Sequence, residues 1–468
     1  MKPINLITSL ACILLTSIPA LSVFAQSGNV ELDFDYFKNE VQPIFLAKRE
    51  GNVRCIQCHD RSSNFRLQAL EEHKLFFTEE QSRKNFESAS TMVLAGEDPL
   101  KSRFLTHPLA VAAGGDPFHG GGKHFHSQYD PEWRIMADWV AGATSRRVPR
   151  EIAVRIIQTN AASDNATVID PVSNQVVGRI TDIEIPHGVV GAPDGSQIYI
   201  TNESLHSLDI VDSRTLRVKR RIPLSGRPNN VSVTGDGKKV YVAIIEMPGA
   251  LDVIDVASMT NIKTVPVNGA IHNVYVTPDS KFVVGGSIQT RTINVVDTAT
   301  DELVWELEMS QGIRPMIFST NPDGSTKNIF VQLSGFHGFV VVDFAMRKEV
   351  ARVELPAVPD QEAHFDGLQG APAHGLAISP DGKQLWATSK VYSHAYVYSL
   401  PDLKEIGRVF VGQHPEWITF TPDGKTVYIG AAGDHVTFAV DTASLKTIAR
   451  IPVGQVPKRL ASVYMAVD

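Results

Sequence analysis

Short apolar runs separated by regular turn signals dominate the chain from about residue 154 to its end. A turn of Pro-Asp-Gly type recurs there at intervals of 42, 43, 44, 58 and 42 residues, with its aspartate at Asp194, Asp236, Asp279, Asp323, Asp381 and Asp423. Each unit is patterned as four short strands joined by turns, as over 189–222. Four strands in a period of 42 to 44 residues are typical of a β-propeller blade, so the pattern predicts an all-β propeller.

The number of blades follows from how the repeat begins and ends. Six units carry the aspartate turn, and a seventh is split, with its outer strands first, over 154–180, and its innermost strand last, over 456–464. Such a closure leaves no free sheet edge in the ring, which favours seven blades. A six-bladed ring with a free strand is the alternative. The long interval holds an insertion, 350–373, which includes His364 and Asp366.

The repeat resembles a known family. Val240-Tyr241-Val242-Ala243 and Ile198-Tyr199-Ile200-Thr201-Asn202 are similar to the strand that gives the YVTN propellers their name. The resemblance implies a YVTN-type propeller over 153–468. Many propellers of that family are binding modules without known catalysis.

The first 25 residues have the pattern of an export signal. Lys2 is their only charge, an apolar run covers 4–21, and Val23-Phe24-Ala25 forms a small-residue cleavage site. Later segments lack an uncharged apolar stretch long enough to span a bilayer. We therefore expect a cleaved signal peptide over 1–25, a periplasmic or otherwise exported protein, and no transmembrane segment after cleavage. A retained N-terminal anchor is the alternative.

Between the leader and the repeat the pattern is helical and irregular. Apolar residues recur at helical spacing over 34–45. Pro131 to Val140 predicts a second helix, with Asp130 as its cap and Trp133, Met136, Ala137 and Val140 on one face.

A CxxCH motif lies between these two helices, with Cys55, Cys58 and His59. Two thiols at this spacing can each add to a haem vinyl group, and the adjacent histidine then binds the iron. The only other cysteine is Cys12 in the leader. The motif therefore predicts one covalent haem c; a CxxC disulfide or thioredoxin-like site is the alternative.

A helix, the motif, a loop and a closing helix together resemble the cytochrome c domains of exported multidomain proteins, here over 30–147. In that family a methionine before the last helix often supplies the sixth iron ligand, and His119 holds the corresponding position. His124 and His126 are alternatives, and Met92 and Met136 are more distant ones. A haem with two histidine ligands is expected to have a lower reduction potential than one with His/Met ligation.

The propeller repeat also predicts which residues line its channel. Seven residues before each turn aspartate the innermost strand begins, at the channel mouth. The residues there are His187, Asn229, His272, Met316, His374 and Glu416, with Lys458 as the seventh. Two residues earlier, on the same face, lie Arg227, Arg314 and His414.

Two kinds of site at this mouth remain open. Histidine, glutamate and methionine are ligands for copper, zinc or iron, so the ring could hold a second metal or haem. The basic residues could instead hold an anionic substrate or a haem propionate. The structural alternative is a polar, water-filled channel in which the histidines are too far apart to share one ion.

Composition narrows the functions without choosing one. The chain has 468 residues, 43% of them hydrophobic, and a formal net charge of -7. No basic stripe for nucleic acid, no nucleotide fingerprint and no nucleophile–base pair stands out, so hydrolase chemistry has no support.

Three functions stay open. The chain could be a periplasmic electron-transfer protein whose propeller docks a redox partner protein. It could be an oxidoreductase with a small-molecule or anionic substrate at the propeller mouth, an arrangement similar to that of the haem-cd nitrite reductases, although their propellers have eight blades. It could also be a non-catalytic binding or adhesion protein.

Overall fold

The structure is a computed structural model that describes residues 31–48, 53–61, 64–72, 74–94, 98–144, 151–367 and 371–467. The predicted signal peptide, 1–25, lies outside these residues. The described chain has a helical region over 31–144 and an all-β region over 151–467. No helix in the described segments is long and apolar enough to cross a membrane.

Short helices build the N-terminal region. They are α1 (Phe34–Tyr36), α2 (Cys55–His59), α3 (Glu79–Ser90), α4 (Arg103–Thr106) and α5 (Pro131–Val140), with a π-helical turn at Phe37–Val41 and 3₁₀ turns at Gln42–Phe45, Pro99–Lys101 and Val111–Ala113. The predicted closing helix is present as α5, and the Asp130 carboxylate accepts hydrogen bonds from the N–H groups of Glu132 (2.9 Å) and Trp133 (3.4 Å). This cap satisfies donors that the first turn of a helix leaves unpaired.

An aromatic core holds these helices together. Trp139 of α5 is fully buried, with its ring centroid 5.0 Å from that of Phe37 and 5.3 Å from that of Phe104. Its Nε1–H donates to the carbonyl of Asp33 at 3.0 Å, so the polar atom of the buried indole is satisfied. The first and last helices are thereby joined on one side of α2.

Twenty-eight strands follow in the described part of the chain. The first fourteen are β1 (Glu151–Asn160), β2 (Asn165–Asp170), β3 (Gln175–Ile180), β4 (Pro186–Gly191), β5 (Gln197–Asn202), β6 (Ser207–Asp212), β7 (Val218–Pro223), β8 (Pro228–Val233), β9 (Lys239–Ile244), β10 (Ala250–Asp255), β11 (Thr260–Pro266), β12 (Ile271–Val276), β13 (Phe282–Ser287) and β14 (Thr292–Asp297). The second fourteen are β15 (Glu302–Glu308), β16 (Ile313–Thr320), β17 (Thr326–Leu333), β18 (Gly338–Asp343), β19 (Lys348–Glu354), β20 (Ala373–Ile378), β21 (Gln384–Ser389), β22 (His394–Ser399), β23 (Glu405–Phe410), β24 (Pro415–Phe420), β25 (Thr426–Ala431), β26 (Val436–Asp441), β27 (Lys446–Pro452) and β28 (Pro457–Val467).

These strands form seven antiparallel four-stranded sheets, one for each blade. Strands β4, β8, β12, β16, β20, β24 and β28 are the innermost, and each contacts the next around the ring until β28 meets β4. The seventh sheet has the order β28-β1-β2-β3, with Val154 opposite Tyr464. The predicted seven-bladed ring with a split blade is therefore confirmed, and the six-bladed alternative is wrong.

The Pro-Asp-Gly turn forms for local reasons. In blade six the Asp423 carboxylate accepts hydrogen bonds from Thr421 Oγ1 (2.6 Å) and from the Lys425 N–H (3.1 Å). Gly424 has φ of +69°, a conformation that side chains other than glycine adopt at a cost. The same aspartate contacts recur at Asp381, which explains why the turn marks the repeat so clearly.

The helical region packs against the outside of the propeller. Lys219 of β7 binds the carboxylate of Glu40 at 2.8 Å and that of Asp212 at 3.1 Å. The Arg220 guanidinium lies 3.9 Å from the centroid of the Phe76 ring. Lys48 forms an ion pair with Glu184, in the segment that leads into β4. These contacts fix the helical region beside blades seven and one.

Candidate functional site

The CxxCH residues form the short helix α2 at the edge of a cavity. The Arg54 N–H donates to the Gln57 side chain at 2.8 Å and so caps the helix. Cys55 and Cys58 are one turn apart, are not joined by a disulfide bond, and both line a cavity of about 290 Å³. The motif thus presents two thiols to one space, as attachment to one group requires.

His59 is oriented by its backbone partner. Its Nδ1 lies 2.7 Å from the Phe65 carbonyl oxygen, and because a carbonyl can only accept, Nδ1 carries the proton. Nε2 is then the nitrogen that can bind a metal, which is the usual arrangement of a ligating histidine. Burial lowers the pKa of His59, which favours the neutral ring that a metal needs.

His119 lies opposite His59 with matching chemistry. The two ring centroids are 6.2 Å apart and the ring planes differ by 18°. His119 Nδ1 lies 2.5 Å from the Gly122 carbonyl oxygen, so its Nε2 is likewise the nitrogen that can bind a metal. Two imidazoles that share one metal ion through bonds of about 2 Å have centroids about 6 Å apart. The separation of this pair is therefore compatible with both rings binding one ion.

The alternatives to His119 differ in position. His124, Met92 and Met136 also line the cavity, and the His124 ring lies 5.8 Å from that of His119 at 79°. His126 is exposed and is not among the lining residues. His119 is the one of these residues that lies nearly parallel to His59 across the cavity.

The sequence analysis missed His107, which also lines the cavity. Its ring lies 6.1 Å from that of His119. However, its Nδ1 is 3.1 Å from the Asp116 carboxylate, and its Nε2 accepts from Arg103 Nε at 2.8 Å. Because Nε2 accepts this hydrogen bond and Nδ1 faces a carboxylate, His107 is a neighbour of the site rather than a ligand. His107 belongs to no motif in the sequence.

The rest of the cavity suits a flat, mostly apolar group with anionic ends. Phe45, Phe65 and Phe104 form part of its wall, and Arg54 and Arg103 add two guanidinium groups. In a bound haem the apolar walls would contact the porphyrin ring, and the two thiols would contact the vinyl groups. The two opposed imidazoles would contact the iron, and the two guanidinium groups would contact the propionates. The residues present therefore fit haem c.

A second cluster lies in the propeller channel. In six blades the second residue of the innermost strand is the one that the repeat predicted. The ring is formed by His187, Asn229, His272, Arg314, His374, Glu416 and Lys458. The prediction of Met316 is wrong. The innermost strand of blade four begins at Ile313, which pairs with Leu333, just as that of blade one begins at Pro186, which pairs with Asn202. The next residue of blade four, Arg314, therefore takes the ring position that His187 has in blade one. Met316 instead packs in the core between blades.

Three histidines of this ring meet although they come from separate blades. The His272 ring centroid lies 6.3 Å from that of His187 and 6.4 Å from that of His374. Burial lowers the pKa of His187 and of His272 well below the usual value, and it lowers the pKa of His374 to about 4. All three imidazoles are therefore neutral at pH 7.

Glu416 is the buried carboxylate of the ring. It lies 2.9 Å from His374 Nδ1 and 2.9 Å from Lys390 Nζ. Burial opposes its ionisation, but His374 and Lys390 outweigh burial and hold the pKa of Glu416 well below its ordinary value. The ring thus contains one fixed negative charge, paired with one lysine.

Arg459, next to Lys458, spans the channel beneath the ring. Its guanidinium lies 3.4 Å from the centroid of Trp417 in blade six. It also donates to the side chain of Asn273 in blade three and to the Tyr275 hydroxyl at 3.4 Å. Arg459 of blade seven therefore links side chains of blades three and six close to the histidine ring.

The two other predicted residues lie nearer to solvent. Arg227 is exposed, and His414 is half-buried with its Nε2 3.2 Å from the Asp366 carboxylate of the long insertion. The His364 N–H donates to the Val391 carbonyl at 3.1 Å, so the insertion folds back over blade five. In the described residues no group of three His, Cys, Asp or Glu side chains is placed to hold a metal ion.

Comparison with known proteins supports the fold. No protein-family model matches the chain, and no curated protein sequence matches it. The structure is similar to the periplasmic gluconolactonase PpgL of Pseudomonas aeruginosa, with 19% identity, a TM-score of 0.55, and coverage of 68% of this chain and 100% of that one.

Two further solved structures are similar to this chain. A putative 6-phosphogluconolactonase of Bacteroides fragilis has 18% identity, a TM-score of 0.54, and coverage of 66% and 98% of the two chains. A hydrazine synthase chain of Kuenenia stuttgartiensis has 21% identity, a TM-score of 0.53, and coverage of 62% and 92%. At these identities the likeness supports the propeller fold alone.

Proposed function

We propose that this chain is an exported c-type cytochrome that transfers electrons, with the YVTN-type propeller as its partner- or substrate-binding module. The observation that carries the proposal is the pair His59 and His119. Their rings face one cavity at 6.2 Å, each has its Nδ1 on a backbone carbonyl, and both cysteines of the motif line the same cavity. The helical region is accordingly proposed as a cytochrome c domain.

Each residue has a definite role in this proposal. Cys55 and Cys58 would hold the haem covalently, each through a thioether bond to one vinyl group. His59 and His119 would bind the iron through Nε2, because the carbonyls of Phe65 and Gly122 keep the ring proton on Nδ1. When bound, the haem supplies one-electron transfer. The apolar wall would exclude water from the iron, and a site without water favours the oxidation state of the haem that has the smaller net charge.

Export is supported from two directions. The first 25 residues have the pattern of a signal peptide, and haem c is attached outside the cytoplasmic membrane. A structurally similar propeller is the periplasmic gluconolactonase of Pseudomonas aeruginosa. A periplasmic location is therefore part of the proposal.

The test is spectroscopic. The mature protein, made with haem-maturation machinery, is expected to carry one covalent haem with a low-spin spectrum. His119→Ala is expected to keep the haem and become high-spin, whereas His124→Ala, the matched control from the same loop, stays low-spin. A low-spin spectrum for His119→Ala, with a high-spin one for His124→Ala, would reassign the ligand. Absence of covalent haem in the wild-type protein would overturn the proposal.

A second candidate function rests on the histidine ring. Three neutral imidazoles buried together at the end of a channel are unusual in a purely structural position, because each brings a polar edge into the protein. They favour a periplasmic oxidoreductase whose substrate or second cofactor binds at the propeller mouth. Metal and pigment analysis distinguishes the two candidates. A second metal or haem, lost when His187, His272 and His374 are replaced together, would favour the enzyme.

A further inference from the structure

The propeller channel holds more buried positive charge than its own carboxylates neutralise. Arg314 and Arg459 are buried, Lys458 is half-buried, and all three face the space around the histidine ring. Glu416 is paired with Lys390 instead. Glu416 also attracts Arg314, Lys458 and Arg459, so that one buried carboxylate faces these three cations in addition to Lys390.

The more distant carboxyl near the ring does not remove this excess. Glu203 faces Lys458 from outside ion-pair distance, and burial raises the pKa of Glu203. Burial lowers the pKa of both Arg314 and Arg459, which expresses the cost of holding these cations away from water. A charge removed from water without a partner is unfavourable, so an anion in the channel would be stabilised.

The same space contains hydrogen-bond donors without acceptors. Trp417 Nε1 and Arg459 Nε are buried and make no hydrogen bond with the described protein. His187 Nδ1 is buried without a partner as well. The Asn273 amide lies 2.8 Å from His272 Nδ1, and with the amide nitrogen donating there, the proton of His272 is on Nε2. Unpaired buried donors are rare in proteins and point to a missing acceptor.

The dimensions select a small ligand. Neighbouring histidine rings are 6.3 and 6.4 Å apart, and the Arg459 guanidinium lies 3.4 Å from the Trp417 ring centroid. The side chains that would contact a ligand here are therefore close together, and one of them is a cation. A group of a few atoms with several acceptor oxygens matches it, whereas a sugar or a nucleotide does not.

We propose that the propeller channel binds one small oxyanion, with the Arg459, Arg314 and Lys458 cations around it and the N–H groups of His187 and His272 as donors. The shared chemistry is a compact anion with two or more oxygens, supplied either by an inorganic oxyanion or by a short carboxylate. The site is formed by the propeller alone, so it does not depend on the haem. It would serve as a substrate or effector site in either candidate function.

The test is calorimetric titration of the full mature protein, in a chloride-free buffer, with sodium nitrate, sodium sulfate, formate and oxalate. At least one is expected to bind at millimolar concentration or tighter. Nitrate or sulfate binding would identify the inorganic source, and formate or oxalate binding the carboxylate source. Lys458→Met and Arg314→Met are each expected to weaken binding about tenfold or more, because each removes a charge near the anion.

A matched control makes the result specific. Lys383→Met removes an exposed lysine on the Pro-Asp-Gly turn of blade five and is expected to leave binding unchanged. Lys458 is only half-buried, so its variant decides the matter if Arg314→Met fails to fold. The proposal is overturned if none of the four anions binds the wild-type protein. It is also overturned if Lys458→Met weakens binding no more than Lys383→Met.

Discussion

Acidification is expected to destabilise the propeller through the buried histidines, and His374 gives the effect a size. Its imidazole is fully buried, and burial lowers its pKa to about 4, although the Glu416 carboxylate acts in the opposite direction. In the unfolded chain the same group has a pKa of about 6.5. Between these two values the unfolded state binds a proton that the folded state does not.

The sign and the magnitude follow from this difference. Stability is greatest above about pH 6.5 and falls as the pH is lowered, because protons then favour the unfolded chain. A change from pH 7 to pH 5 crosses about 1.5 units, which removes about 2 kcal/mol for His374 alone. Burial also lowers the pKa of His187 and of His272, so both add losses of the same sign.

The charged groups that face His374 change little in this range. Glu416 has a lowered pKa, so the stability it contributes is present above about pH 4.3 and is lost only as the pH falls further, through its folded pKa. Lys390 and Arg314 are the cations near His374, and both act with burial to lower the pKa of His374. The loss between pH 7 and pH 5 is therefore assigned to the histidines.

The assay is urea unfolding at pH 7 and pH 5, followed by tryptophan fluorescence. The wild-type protein is expected to lose at least about 2 kcal/mol on acidification, and His374→Gln about 2 kcal/mol less than that. His206→Asn is the matched control, because His206 is exposed and its φ of +49° is one that asparagine tolerates. If His374→Gln kept the wild-type pH dependence, the reasoning from burial would be refuted.

Three further predictions concern stability in the same urea assay. Lys390→Met leaves the buried Glu416 carboxylate without its lysine and is expected to lower the free energy of unfolding by about 3–5 kcal/mol. The double variant Lys390→Met/Glu416→Gln is expected to recover part of this loss. If the single and the double variant lose the same free energy, the ion pair is excluded. Gly424→Ala, at φ of +69°, is expected to cost about 1–2 kcal/mol, and no change would contradict the turn geometry. Lys219→Met, which removes the contact with Glu40, is expected to cost about 1 kcal/mol and to speed amide exchange in β7.

The number of blades could be predicted because the same short pattern is repeated. The aspartate turn depends on contacts within a few residues, such as those of Asp423 with Thr421 and Lys425, so it appears in the sequence wherever it appears in the fold. The split blade also follows from local patterns at the two ends of the repeat. The closure of the ring by pairing of β28 with β1 can be predicted from the order of the strands along the chain.

The channel residues show where a count along the sequence fails. Counting back from Asp323 gives Met316, but β16 and β17 have eight residues each, where the corresponding strands of blade one have six. The longer hairpin moves the turn away from the channel, so Arg314 takes the ring position. Sequence alone also could not show that His187, His272 and His374 meet, because their separation depends on the radius of the closed ring.

The helical region was less predictable because its contacts are irregular. The CxxCH motif and the capped helix α5 have local signatures, and both are found where they were predicted. His119 lies opposite His59 only because a long loop folds back towards the CxxCH helix. The ring of His119 is oriented there by the carbonyl of Gly122, a residue with φ of +86°. His107 carries no motif at all, and only its contacts with Arg103 and Asp116 show its role beside the cavity.

One short segment joins the helical region to the channel ring. Glu184 forms an ion pair with Lys48 of the helical region, and three residues later His187 enters the channel ring. Between them Ile185 has φ of +49°, an unfavourable value for a β-branched residue, and its N–H is held by the Asp164 carboxylate at 3.0 Å. A strained residue persists where its surroundings hold it firmly, and here the Asp164 carboxylate and the ion pair of Glu184 flank Ile185. The position of His187 in the ring is therefore fixed by contacts that the repeat pattern does not contain.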